Sequence, residues 1–354
     1  MANDVEEPTA ERDTPDPVVV HMASELWPFA RTGGLAEAVR GIACHQASAG
    51  MRTSVFVPLY ARIRETRADL VPHGEPFEVH LGPRTEPARL QRNARETQEP
   101  WTFFVEHDRF FGRPGLYGEH GESYGDNHIR FAFFCRAVLR ALKELRPAPV
   151  VLHMHDWHTA LAVVYLRTQL YDDPFYRSLA TVLTVHNGGY QGHLGQDILG
   201  ELGLDPGLYT PSVLEWYGRV NLLKGGLNFS DLVTTVSPTH AHELRTPVGG
   251  FGLHDTFVSL HDRFVGILNG IDYGVWNPET DPTLEATFGR EDLSGKARCK
   301  AWLQEQTGLA VRPDLPLFGM AARLVEQKGL DIVLQADMIP RLDAQWVFLG
   351  EGEP

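Results

Sequence analysis

The sequence predicts an α/β protein: a complete doubly wound, Rossmann-like domain followed by the start of a second one. Three observations predict it. Short valine-rich apolar runs alternate with longer amphipathic stretches along the whole chain. The runs are apolar almost throughout instead of alternating with polar residues, as strands of a parallel sheet covered on both faces are. The chain has 354 residues, too many for one ordinary domain and suited to two.

The elements follow in order. Val18-Val19-Val20 opens the series as a strand, and a helix is predicted over 33–48. Strands are predicted over 54–57, 101–105, 150–152, 181–185, 232–236 and 265–268. Over 129–145 the apolar positions Ile129, Phe133, Val138, Leu139 and Leu142 recur at helical spacing, with Arg130, Arg136, Arg140 and Lys143 between them. The pattern then restarts: a helix over 292–307 stopped by Gly308, a strand over 316–321, a helix over 329–336 and a strand over 346–349. The domain boundary is expected near Arg263, giving 18–263 and 264–354. Residues 1–17 are expected to be a disordered acidic tail, since they combine carboxylates such as Glu6, Glu7, Glu11, Asp13 and Asp16 with prolines and lack a basic start or an apolar centre.

Composition excludes several functions. Lys and Arg number 32 against 46 Asp and Glu, a formal charge of −14, so non-specific binding to nucleic acid is not expected. Three widely spaced cysteines, Cys44, Cys135 and Cys299, form neither a disulfide framework nor a zinc motif and suit a reducing, cytoplasmic setting. No apolar stretch is long enough to span a membrane.

Four motifs carry chemistry. Arg31-Thr32-Gly33-Gly34-Leu35-Ala36-Glu37 follows the first strand. It is either a plain turn before a helix or a phosphate cradle, with helix amides and an Arg fork as donors. His153-Met154-His155-Asp156-Trp157-His158 ends a buried strand; it suits a helix cap with packed histidines, or a metal site on His153, His155 and Asp156. His186, in Thr184-Val185-His186-Asn187-Gly188-Gly189, is either a core histidine or a donor to a ligand at a strand end. Arg323 and Lys328, in Arg323-Leu324-Val325-Glu326-Gln327-Lys328-Gly329, suit a diphosphate or a solvated basic turn.

Together with Leu223-Lys224-Gly225-Gly226, Thr235-Val236-Ser237-Pro238-Thr239 and the segment Gly266 to Asp272 with Trp276 and Pro278, these motifs resemble the glycogen/starch synthase family of retaining glucosyltransferases. The likeness runs from Val18 to Pro354. It implies a GT-B fold and transfer of glucose from ADP-glucose to the non-reducing end of an α-1,4-glucan, with retention. ADP-glucose is then a donor substrate, and no metal or other cofactor is expected. The resemblance implies that Arg323 and Lys328 bind the donor diphosphate and that His186 touches the transferred sugar. It places Arg31, Gly33, Gly34 and Glu37 at the distal phosphate and glucose, and Tyr124, Asp156, Trp157 and Asn269 along the sugar side. Arg31 stands where the family usually has Lys, which keeps the charge but widens the fork. The family also continues beyond Gly350, so a C-terminally truncated chain, inactive by itself, is expected. The rival readings are a metal-dependent hydrolase and a non-catalytic glucan-binding remnant.

Overall fold

The computed structural model describes residues 17–66, 69–145, 150–350 and 352. Nearly all of the expected acidic tail, residues 1–16, lies outside them. The chain forms two compact units, Met1–Gly270 and Ile271–Pro354.

The first unit is organised on one ten-stranded sheet. Its strands are β1 (Val18–Met22), β2 (Arg52–Pro58), β3 (Leu70–Pro72), β4 (Phe77–Leu81), β5 (Arg84–Asn93), β6 (Trp101–Glu106), β7 (Val150–His155), β8 (Ala180–Val185), β9 (Leu232–Thr235) and β10 (Phe264–Gly266). Their order is β10-β9-β8-β7-β1-β2-β6-β5-β3, with β4 beside β5. From β10 to β6 every pair is parallel. The other edge is antiparallel. Burial alternates along β4, as expected where one sheet face meets solvent. This antiparallel edge is absent from the purely parallel reading, because its half-polar strands carry no continuous apolar run.

The expected boundary at Arg263 shifts for a clear reason. Val265 does not open a new sheet: β10 pairs with β9, Val233 opposite Phe264, and Phe264 is buried. Strand order reverses at β1, which has β2 on one side and β7 on the other, so the strand ends there form a topological switch point.

The helices that matter are α1 (Gly34–Ser48), α2 (Asn127–Leu145), α3 (Trp157–Thr168) and α4 (Leu222–Phe229). The two sheet faces differ. One carries Val20, Met22, Leu152, Met154 and Leu183, all buried. The opposite face carries a polar row set by register: His21 lies opposite His153, Thr184 opposite His155, and Thr184 opposite Thr234.

Arg130 departs from the amphipathic reading of α2. It is fully buried, not on a solvated face. Its Nε donates to Phe110 O at 2.6 Å, and its Nη1 to Leu116 O at 3.0 Å and to Asn127 Oδ1 at 2.5 Å. Its guanidinium also lies 4.8 Å from the Tyr124 ring centroid. The arginine therefore holds the 110–124 segment by its carbonyls, which periodicity alone cannot show.

The Leu223-Lys224-Gly225-Gly226 motif proves to be a packing device. A Cβ on Gly226 would lie 2.7 Å from Ala160 Cβ and 2.9 Å from Leu183 Cδ2, so α4 approaches α3 and the sheet as only glycine permits. Lys224 Nζ donates to Pro211 O and Glu215 O, both at 2.6 Å. Gly226→Ala is expected to lower stability by about 1–3 kcal/mol through overpacking. A urea melt of the two proteins checks it; an unchanged midpoint would show that α4 shifts freely.

The second unit holds β11 (Leu317–Ala321) and β12 (Gln345–Leu349), paired in parallel, with the helices Ser294–Gln306 and Leu330–Gln335. Phe318 stacks on Trp346 at 4.4 Å between centroids. Ile332 and Leu334 remain exposed.

Candidate functional site

The C-terminal ends of β1, β7 and β8 bring most of the expected residues of the first unit together. The Gly33-Gly34 turn leads from β1 into α1. Gly33 is extended and no side chain caps the helix there. A Cβ at Gly33 or at Gly34 would meet no atom within 4 Å, and neither residue has a left-handed backbone. The protein's own packing therefore does not demand glycine at either position.

Not all of the turn's amides are free, as the phosphate-cradle reading had them. Glu25, buried, accepts from Thr32 N at 2.6 Å, from Gly33 N at 3.4 Å and from Thr32 Oγ1 at 2.7 Å. Tyr117 OH donates to the same carboxylate at 2.8 Å. Arg31 is exposed; its Nη1 bonds Glu37 Oε1 at 3.0 Å and its guanidinium lies 4.5 Å from the Trp27 ring centroid. The two ends of the motif thus hold each other across the turn.

Asp156 stands at the start of α3 with φ 58, a costly backbone for a non-glycine residue. Its carboxylate does not cap its own helix. Oδ1 instead accepts from His186 N at 2.7 Å and Asn187 N at 3.4 Å, tying the end of β7 to the end of β8. Burial pushes the Asp156 carboxyl up to about 7, against these two amide donors. Trp157 packs edge-on to Phe131, 5.6 Å between centroids. It also confines Gly192, whose Cβ would lie 2.6 Å from the indole and whose φ is 68.

Tyr124 belongs to the same assembly. Its N donates to Tyr117 O at 2.8 Å, and its OH bonds Glu119. Tyr117 OH in turn meets Ser24 Oγ at 2.7 Å, and its ring stacks on His158 at 4.9 Å. Glu25 and Tyr117, which no sequence motif marks, are therefore the links between the Gly-Gly turn and the Tyr124 segment.

His186 is half-buried, and its Nε2 lies 3.0 Å from His155 Nδ1. His153 Nε2 lies 2.6 Å from Thr184 Oγ1. The ring nitrogens of His21, His153 and His155 approach within 4.8 Å of one another, so a three-histidine group does exist. The carboxylate required by the hydrolase reading is not part of it, since Asp156 turns towards the amides of β8. Burial lowers His21 to about 4 and His186 to about 4, and holds His153 and His155 well below the ordinary histidine value.

Asn269 sits apart from this group. It is exposed after β10, two strands beyond β8, and hydrogen-bonds to none of these residues among those described. Arg323 and Lys328 belong to the second unit, both exposed, on the segment between β11 and the following helix. Gly329 there has φ 73 and lets the chain turn into that helix.

Comparison with known proteins shows the family. The family described as the starch synthase catalytic domain matches residues 18–259. The chain is 42% identical over 332 residues to the glycogen synthase of Syntrophotalea carbinolica, covering 94% of this chain and 68% of that protein. It is 42% identical over 337 residues to glycogen synthase 2 of Geobacter sulfurreducens, covering 94% and 69%. Among solved structures it resembles the catalytic domain of starch synthase IV from Arabidopsis thaliana bound to ADP and acarbose. The TM-score is 0.85 at 35% identity, over 96% of this chain and 69% of that one. No helix among the described residues is long and apolar enough to cross a membrane. On fold, motifs and relatives alike, the chain belongs to the glycogen/starch synthase family of glycosyltransferases.

Proposed function

We propose that this chain acts in the cytoplasm on ADP-glucose, moving the glucosyl group to the non-reducing end of an α-1,4-glucan with retention and without a metal. The observation that carries the reading is the Gly33-Gly34 turn. It is held from behind by Glu25 and flanked by Arg31, yet its glycines face open space that the fold itself does not need. Space of that kind at a helix start and a switch point suits the approach of a phosphate and a sugar.

The roles follow from chemistry. Arg323 and Lys328 neutralise the departing diphosphate, because charge develops there as the glycosidic bond breaks. Arg31, Gly33, Gly34 and Glu37 receive the distal phosphate and the glucose. His186 meets the transferred sugar, while Asp156 holds the backbone of β8 in place beneath it. Tyr124, Trp157 and Asn269 serve the sugar side, aromatic faces packing on pyranose rings.

Incorporation of labelled glucose from ADP-glucose into glycogen tests the reading, with a chelator present. The assay is run on residues 1–354 and, in parallel, on this chain continued by the donor-domain remainder of a glycogen synthase relative. New α-1,4 linkages are expected from the continued chain. Release of free glucose without elongation, or activity lost to the chelator and restored by zinc, would overturn it.

A further inference from the structure

Three imidazoles and one amide form an unbroken hydrogen-bonded chain beneath the strand ends. His186 Nε2 lies 3.0 Å from His155 Nδ1. His155 Nε2 lies 3.0 Å from His21 Nδ1. His21 Nε2 lies 2.7 Å from Gln46 Oε1. The chain runs from the end of β8, through β7 and β1, to the last turns of α1. Sheet register builds it: His21, His155 and Thr184 share one face, and His186 continues that face beyond β8.

A neutral imidazole carries one N–H and one bare nitrogen. Burial keeps these histidines neutral near pH 7. Each imidazole–imidazole contact needs a hydrogen on one nitrogen and none on the other. The direction of one bond therefore dictates the direction of all of them. The terminal group decides it. With Gln46 Oε1 accepting, His21 must carry its hydrogen on Nε2, leaving Nδ1 bare. His155 must then donate from Nε2, and His186 must donate from Nε2 as well. A donor in place of the acceptor at position 46 would reverse every bond.

We propose that Gln46, acting through His21 and His155, holds His186 in its Nε2–H tautomer and presents His186 Nδ1 as a bare acceptor at the strand ends. Among the described residues no hydrogen bond engages that Nδ1. A bare nitrogen suits a sugar hydroxyl, which can donate, and disfavours a phosphate oxygen, which only accepts. A bare Nδ1 fits the contact with the transferred sugar given to His186 under the transferase reading above, on which this part of the inference rests, and the relay from Gln46 is what fixes it. Gln46 is a positioning residue. His153 stands outside the chain, stacked on His155 at 4.3 Å between centroids and bonded to Thr184. A cation among His21, His153 and His155 would have to replace the hydrogen between His21 and His155.

The test uses protein with 15N-labelled histidine at pH 8, where long-range proton–nitrogen spectra separate the two tautomers. Loss of one signal set in His186→Gln assigns His186. The wild type and Gln46→Glu, whose carboxylate only accepts, are expected to show His186 with its proton on Nε2. Gln46→Lys, which only donates, is expected to move that proton to Nδ1. Position 46 is partly exposed near a helix C-terminus, where a lysine is well tolerated. Gln46→Leu removes the anchor, and a mixture is expected. A wild-type proton on Nδ1, or a tautomer unmoved in both Gln46→Lys and Gln46→Leu, would overturn the proposal. So would stoichiometric zinc in the purified protein that disappears in His21→Ala. In glucosyl transfer, Gln46→Lys is expected to lower kcat/KM about tenfold, the scale of one hydrogen bond, with Gln46→Glu near wild type. A tautomer that flips while transfer is unchanged would leave the relay standing and remove the sugar role of His186.

Discussion

Acidification from pH 7 to pH 5 is expected to destabilise the first unit by several kcal/mol. The cause is the buried imidazoles. Desolvation lowers His21 to about 4, partly offset by its bond to Gln46. Desolvation, helped by the Arg130 charge, lowers His158 to about 3. Desolvation alone lowers His186 to about 4. Each folded-state value lies below the unfolded one, so the folded protein binds fewer protons. Stability from these groups is complete above pH 6.5 and is lost as pH falls towards the folded values. For fully buried His21 the loss by pH 5 is about 2 kcal/mol, and it is somewhat less for the partly accessible His158 and His186. His153 and His155 shift in the same direction. Asp156 acts oppositely. Its carboxyl is raised to about 7, so protonating it between pH 7 and 5 returns about 2 kcal/mol. The histidines outnumber it, and the net loss is a large part of a typical domain's stability. Urea melts between pH 5 and 8 check the balance. A midpoint that is flat or rises on acidification would show that the row is not buried as neutral imidazole.

Replacing Lys328 or Arg323 by alanine is expected to lower turnover by about a hundredfold, which is about 3 kcal/mol of transition-state stabilisation. Both side chains are exposed and make no hydrogen bond or ion pair among the described residues, so little folding stability depends on them. Their expected role is confined to a leaving group whose charge grows as the bond to glucose breaks. Loss should therefore appear in kcat, with glucan affinity nearly unchanged. Single-turnover transfer and maltooligosaccharide binding, measured on the chain continued by a relative's donor-domain remainder, separate the two. Equal losses in both would show that these cations serve the acceptor.

The parallel strands were legible because each is a continuous apolar run, and α1 because a Gly-Gly turn precedes an amphipathic stretch. The antiparallel edge was not. Phe77–Leu81 alternates, and its partner Arg84–Asn93 carries three arginines, so neither resembles a core strand. The motif residues Arg31, Asp156 and His186 stood out by type and spacing, and the sheet brings their strand ends together. What spacing could not show was which atoms meet. Asp156 looked like a cap or a ligand and instead binds the backbone of another strand. Glu25, Tyr117, Gln46 and His21 escaped notice because each stands alone in sequence and acquires its meaning from a partner far along the chain. His21 was the nearest to legible: a histidine inside a valine run of a central strand needs a polar neighbour. Arg130 was misplaced because helical spacing orders residues by face and says nothing of what a long side chain can reach.

Glu25 has one further consequence, for kinetics. A Gly-Gly segment left to itself samples many backbone states, and a ligand would have to wait for the right one or freeze it on arrival. Here Thr32 and Gly33 are already fastened to a buried carboxylate before anything binds. Little ordering entropy is left to lose at the moment of encounter, so arrival need not be slowed by loop rearrangement. The same carboxylate sets a negative charge directly behind the seat. On the function proposed above, an anion seated at this turn would be held less firmly than the amides alone would hold it, which would favour its departure.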